Sequence, residues 1–350
     1  MTLQPLVLLH DRKTTLPGLR EAFDAQPDKP PDMAFRDYSA LSGGERATYD
    51  EAREDYMRLS LRVSTPEQDL CIGIVRKLMS ANPRRKNSRR GLMISAPMFH
   101  GKTELALMLA RSVEHHHRSG FPDYLERGEV PVVWVEMTEH STGKALFAQI
   151  VEFLCPTITI PRQMTTDRLR KMAVELLAGH RTKLLVIDEA HKLGGSEPSS
   201  MIKALQNESS ATVVLVGIHL QGKAFGSGDG QQVTSRCDIV TIERINIKTE
   251  DGRKWWVRWV ATFDRNLPLC GHRPGLLTLN AALLHRAARG QLAVLALIVE
   301  RLVTTILLDD ERYDEDVTKQ RLFEVLTTLR ATTSVTDKNK IRLDDILETS

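Results

Sequence analysis

"ISAPMFHGKTEL", residues Ile94 to Leu105, decides how the rest of this chain reads. It completes an apolar run, GLMIS, suited to a strand, and it leads into a helical pattern over Thr103 to His115. Gly101, Lys102 and Thr103 therefore fall where a strand turns into a helix. A loop at that junction aims its amides and the helix N-terminus at bound phosphates. Lys102 would reach the β- and γ-phosphates of ATP, and the Thr103 hydroxyl would ligate Mg²⁺. Ala96, Pro97, Met98, Phe99, His100, Gly101 and Glu104 complete the expected nucleotide lining. The loop is irregular, because Ala96 stands where a glycine is usual and two bulky residues, Phe99 and His100, precede Gly101. Ala96 sits at the strand end, where no positive φ is needed.

A phosphate loop needs a partner strand ending in acid, and KLLVIDEAH supplies it. Asp188 would hold Mg²⁺ through water, and Glu189 would orient and deprotonate the attacking water. DEAH also spells a helicase motif, with SAT following at Ser210 to Thr212. Here SAT precedes the strand VVLVGI and so lies at the opposite edge of the sheet, and no second helicase lobe follows. The helicase reading fails. Further along, QQVTSRCDIVTIERI places Arg236 between the fourth and fifth strands. That position suits an arginine finger offered to a neighbouring subunit's γ-phosphate, or an ordinary surface arginine. In HRAARGQL, Arg289 is a candidate to face the nucleotide from a helix start.

Outward from these motifs, five short apolar runs alternate with helical patterns: GLMIS, VPVVWVEM, KLLVIDE, ATVVLVGI and DIVTIERI. That rhythm predicts a parallel sheet covered on both faces, an α/β fold. After about Lys248 the pattern is helical only, over Lys254 to Asn266, Leu276 to Ala288, Leu292 to Leu308 and Thr318 to Arg330. The division expected is a flexible segment over 1–45, a P-loop ATPase domain with a helical lead-in over 46–248, an α-helical lid over 249–333 and a tail over 334–350.

The bulk numbers limit what partners are possible. A net charge of +3 over 350 residues does not demand a polyanionic partner, so any DNA contact must come from local clusters or many copies. Four scattered cysteines, Cys71, Cys155, Cys237 and Cys270, fit neither a zinc ribbon nor a disulfide framework. With no signal-like start and no membrane-length apolar segment, the expectation is a cytoplasmic protein.

The order of parts resembles the AAA+ ATPases of transposition, the TniB/TnsC type. STPEQ before the loop, LVIDEAHKLGGS, FDRNLPL at Phe263 to Leu269 and the helix ARGQLAVLALIVERLVTTIL carry the likeness over roughly residues 50 to 315. The resemblance implies an ATP- and Mg²⁺-dependent regulator that assembles as a ring or filament on double-stranded target DNA. It further implies recruitment and activation of a DDE-type transposase, with hydrolysis driving disassembly. Lys102, Thr103, Asp188, Glu189 and Arg236 would keep the family roles. Two departures, Ala96 and an apolar Ile218 at the polar sensor position, leave room for slow hydrolysis; His219 is the nearest polar substitute. A signalling or defence ATPase that binds a protein partner without DNA is the alternative. A thymidine-type nucleoside kinase is more remote: PMFHGKTEL is similar to its loop, but about ninety residues precede the loop here and the paired zinc cysteines are lacking.

On the transposition reading, DNA would meet the loop TEHSTGK, with Thr142 and Lys144 on its phosphates. The basic run Arg84, Arg85, Lys86, Arg89 and Arg90 is a second candidate, or a solvated loop. The histidines of EHHHR, Glu114 to Arg118, read as helix-dipole partners, not metal ligands.

Overall fold

The computed structural model describes residues 13–139, 141–193, 197–226, 229–309 and 312–333. The expected tail at 334–350, His140 of the TEHSTGK loop and the glycines of HKLGGS lie outside the described residues. The chain divides into two compact units, one made of the segment ending at Asp24 with Thr65–Ile242, the other of Ala25–Ser64 with the chain from Glu243 onward. Elements are numbered along the whole chain.

In the first unit the five apolar runs are the strands β1 (Gly91–Ser95), β2 (Val132–Glu136), β3 (Leu184–Asp188), β4 (Thr212–Gly217) and β5 (Cys237–Thr241). All pair in parallel, in the order β2-β3-β4-β1-β5. Their apolar character runs on consecutive residues because helices cover both faces, leaving β1, β3 and β4 buried end to end. Those helices are α1 (Leu16–Asp24), α4 (Pro66–Ala81), α5 (Lys102–Gly120), α6 (Gly143–Leu154), α7 (Thr166–Gly179), α8 (Glu197–Glu208) and α9 (Asp229–Ser235). Met93, Ile94, Trp134, Val186, Ile187 and Leu215 form the centre of one continuous core. Each such side chain contributes roughly 1.5–3 kcal/mol by leaving water.

Residues 13–45, expected to be flexible, are built into both units. Leu19 and Phe23 of α1 are each 1% exposed and belong to the sheet core. An apolar pair four residues apart on a short helix finds a place to bury, which composition alone does not show. The boundary expected at residue 46 differs too, since residues 25–64 cluster with the helical unit.

The second unit holds α2 (Phe35–Ala40), α3 (Gly43–Asp55), α10 (Glu250–Arg265), α11 (Leu276–Leu279), α12 (Ala281–Ala288), α13 (Leu292–Leu307) and α14 (Lys319–Thr333). α3 starts on a capping box, Ser42 with Glu45, and continues into a π turn over Tyr56–Ser60. Inside it, Arg53 and Glu315 are fully buried and bonded to each other, with Asp50 also on Arg53. α10 turns Trp256, Trp259, Val260 and Phe263 inward. The single helix expected over Leu276 to Ala288 is broken at Asn280, whose amide bonds back to the Leu276 and Leu277 carbonyls.

Asp264, from the FDRNLPL motif, caps the start of α11. Its carboxylate accepts from the Gly275 and Thr278 amides and the Thr278 hydroxyl at 2.8–3.0 Å. Burial pushes its pKa up, but these bonds and His272 outweigh it and hold the carboxyl below the usual range. Gly275 has φ 143, a conformation open only to glycine. The motif's aspartate is therefore a fold element. Among the described residues no single helix is long and apolar enough to cross a membrane, and the apolar α12 and α13 bend by 113° and face the unit's core through Leu284, Leu295 and Leu302.

Candidate functional site

Among the described residues six non-glycine positions have positive φ; Ser88 and Arg181 precede β1 and β3, Arg289 belongs to the helical unit, and three lie in the segments after strands: Phe99 after β1 (φ 58), Glu189 after β3 (φ 53) and His219 after β4 (φ 46). Such residues cost about 1–3 kcal/mol each and persist where the surroundings impose them. All three lie at the carboxyl end of the three central strands, where open parallel sheets bind ligands.

The loop after β1 combines this strain with open donors. Ala96 is buried, donates its amide to the Gly217 carbonyl at 3.1 Å and needs no positive φ, as its strand-end position implies. The left-handed turns fall instead at Phe99 and at Gly101 (φ 71). Pro97 is half-buried, while Met98 and Phe99 are exposed, Phe99 by 74%. His100 is turned inward and hydrogen-bonds the Met98 carbonyl through Nδ1 at 2.8 Å, leaving Nε2 buried without a protein partner. α5 then begins at Lys102 with Gly101 as its cap and no side chain bonded to its first amides. The amides of Lys102 and Thr103 have no intrahelical acceptor, and a Cβ placed on Gly101 would meet nothing within 4 Å. Open loop amides and a buried Lys102 fit an anionic, hydrogen-bonding ligand such as a triphosphate. Glu104 follows in the first turn of α5.

Opposite the loop, β3 delivers two acids in different settings. Asp188 is 1% exposed; its Oδ1 accepts the Glu189 amide at 2.8 Å and its Oδ2 accepts Lys13 Nζ at 3.4 Å. Glu189, turned aside by its left-handed backbone, lies beside two cations, Lys102 Nζ at 3.9 Å and Lys192 Nζ at 3.4 Å, and the His191 ring, Nε2 at 3.6 Å. His191 is the residue the motif reading missed. Its Nδ1 accepts the Ile218 amide at 3.3 Å, so it ties the end of β4 to Glu189. The neutral ring with its proton on Nε2 fits both contacts. Burial holds the imidazole below its usual range; Glu189 opposes this, and Lys102 and Lys192 add to it. β4 must end in Gly217, since a Cβ there would lie 2.7 Å from Leu220 and 3.1 Å from the His191 amide. The polar contact sought after β4 thus comes from His191, three residues after Asp188, while His219 is exposed. The A-H of DEAH held the signal.

The remaining candidates do not share this edge. Arg236 precedes β5 at the amino end of the sheet, half-buried, with its guanidinium on Asn207 Oδ1 at 3.1 Å. Thr212 opens β4 at that same end, away from the carboxyl end where a helicase would carry SAT. Arg289 belongs to the other unit, at the left-handed cap (φ 53) between α12 and α13. Thr142 is exposed and caps α6 through the Ala145 amide, and Lys144 Nζ bonds the Arg162 carbonyl at 2.8 Å. Of the basic run, Arg89 and Arg90 bond Asn207, Asn82 and Asp238, whereas Arg85 and Lys86 stay exposed. In EHHHR, His117 is not a dipole partner at the surface: it is 3% exposed and bonds Glu129 at 2.7 Å.

A five-stranded parallel sheet in the order β2-β3-β4-β1-β5, a strand-loop-helix carrying Lys102 and helices C-terminal to the sheet define an AAA+ ATPase fold. Solved structures agree. The chain is similar to the ORC1 protein of Aeropyrum pernix in complex with DNA, at 15% identity and TM-score 0.53, covering 79% of this chain and 68% of that one. It is also similar to the ORC2 protein of that organism in its ADP form, at 13% identity and TM-score 0.55, covering 91% and 74%. The ADPNP-ADP complexes of ORC2 match at 12% identity and TM-score 0.55, covering 88% and 71%. At these identities the likeness concerns the fold. The chain belongs to the bacterial TniB family, whose match spans residues 55–246, more than half of its length. No curated protein matches it.

Proposed function

We propose that this chain is an ATP-dependent regulator of DNA transposition, working in the cytoplasm. The observation that carries the reading is the TniB match over residues 55–246, the span that holds the phosphate loop, the Asp188–Glu189 pair and Arg236. In the reaction proposed, the loop amides from Met98 to Gly101 and Lys102 bind the triphosphate of ATP. Thr103 and Asp188 hold Mg²⁺, which screens the phosphate charge when bound. Glu189 accepts a proton from a water that attacks the γ-phosphorus, the bond to the β–γ bridging oxygen breaks, and ADP and phosphate leave. Glu189 is paired to Lys102 at 3.9 Å, so phosphate binding that draws Lys102 away also frees the base. Arg236 completes the site of a neighbouring subunit in a ring or filament, and Arg289 senses the nucleotide from the helical unit.

Assembly on double-stranded DNA uses Thr142 and Lys144, whose weak individual charge is multiplied by repetition along the duplex. The assembled form recruits and activates a DDE-type transposase, and hydrolysis releases it. ATP therefore drives cooperative, sequence-tolerant DNA binding in a gel shift at low salt, and Glu189→Gln accumulates the DNA-bound form. No ATP-dependent shift at any salt would leave the reading as an ATPase switch for a protein partner.

A further inference from the structure

Lys13 stands apart from every motif above, yet its ammonium lies inside the acid cluster of the candidate site. Its Nζ is 3.4 Å from Asp188 Oδ2 and 3.3 Å from Glu136 Oε2, and its side chain is only 8% exposed. The placement follows from the sheet. Glu136 ends β2 in register with Asp188 at the end of β3, so both carboxylates point to one face. Trp134, two residues before Glu136, shares that face and lies under the ammonium, 5.2 Å from ring centroid to Nζ. α1 fixes the approach: Leu19 and Phe23 are buried in the sheet core, and Arg20 bonds the Glu129 carbonyl and pairs with Glu114.

Two carboxylates on neighbouring strand ends repel unless a cation lies between them. In this chain the cation is supplied from 175 residues upstream of Asp188. Both oxygens of Asp188 then have partners, Oδ1 the Glu189 amide and Oδ2 Lys13. Asp188 is also the residue assigned to Mg²⁺, and a divalent ion brought to it would meet a fixed positive charge within a few ångströms.

We propose that Lys13 is the resident counter-cation of the Mg²⁺ site, and that Mg²⁺ with nucleotide must displace it from the Asp188–Glu136 pair. This rests on the nucleotide-site reading above and deepens it. Loading then loosens α1, because the ammonium that anchors its leading end has lost its partners.

The test is ATP binding by calorimetry over a Mg²⁺ series, with the full chain and its Lys13→Met and Lys13→Arg variants. Lys13→Met lowers the Mg²⁺ needed for half-maximal ATP binding about fivefold, the scale of one partly buried ion pair, and Lys13→Arg leaves it near wild type. An unchanged requirement in Lys13→Met overturns the inference. A raised requirement also overturns it and makes Lys13 a helper of metal binding. Amide exchange on the unmodified chain gives a second readout that needs no variant. Residues Leu19–Asp24 exchange faster with Mg²⁺ and ATP than without, and protection that stays equal or grows overturns the displacement. If the wild-type chain binds no ATP at any Mg²⁺ level, the nucleotide reading falls and this inference falls with it. ATP binding with an unchanged Mg²⁺ requirement in Lys13→Met sinks only the inference.

Discussion

At the carboxyl end of the sheet, the segments after β1, β3 and β4 each hold a residue with positive φ, His100 keeps an unpartnered nitrogen, and Glu189 is shared among two lysines and the His191 ring. At the amino end the same strands begin in a closed polar net. Asn82 bonds the Arg90 carbonyl and amide and the Thr212 hydroxyl, Arg89 bonds the Asn207 carbonyl, and Asn207 Oδ1 accepts from Ser88 and Arg236. The amino end has left-handed residues of its own, Ser88 before β1 and Arg181 before β3, so the difference between the ends lies in how charged groups are gathered. Proteins depart from local rules where function requires it. Charged groups gathered on Glu189, and not backbone strain, therefore distinguish the carboxyl end.

Arg236 tests that contrast most severely, since it sits at the satisfied end yet is assigned a catalytic part in a neighbouring subunit. Arg236→Ala should lower ATP hydrolysis by about a thousandfold in the assembled protein while leaving ATP affinity intact. Hydrolysis that survives, with a lowered melting temperature, would return Arg236 to the framework. His191→Ala should slow hydrolysis by about tenfold, in line with one lost positioning hydrogen bond, with little change in ATP affinity. Equal losses in both would mean that His191 holds the loop, not Glu189. The smallest effect is expected at Phe99, whose ring is exposed and whose φ is unfavourable for any side chain. Phe99→Gly should raise stability by about 0.5 kcal/mol, the left-handed strain relieved less the entropy of a glycine. A loss of stability in denaturant melts would show that the ring packs on something at this end.

The sheet was legible because its strands are apolar on consecutive residues and its ligand loop has a fixed spacing. Ile94 to Leu105 and Lys183 to His191 state their own geometry. Lys13 and Glu136 were not legible, because they meet Asp188 only through strand register and a helix docked from the far end of the chain. Pattern reading sees neighbours in sequence; these are neighbours in space. His191 lies between the two cases, visible in the motif but given no role until Ile218 was placed beside it. FDRNLPL shows the converse, a memorable string whose aspartate, Asp264, serves a helix start.

The buried pair of Arg53 and Glu315 has a consequence for how the protein is made. The two residues are 262 positions apart, and both are fully enclosed in the helical unit. At usual elongation rates Glu315 leaves the ribosome roughly 13–50 s after Arg53. Throughout that interval Arg53 has Asp50 but lacks its buried partner, while the sheet between them can already fold. Synthesis thus completes the sheet unit, α1 included, before the helical unit can close around Arg53.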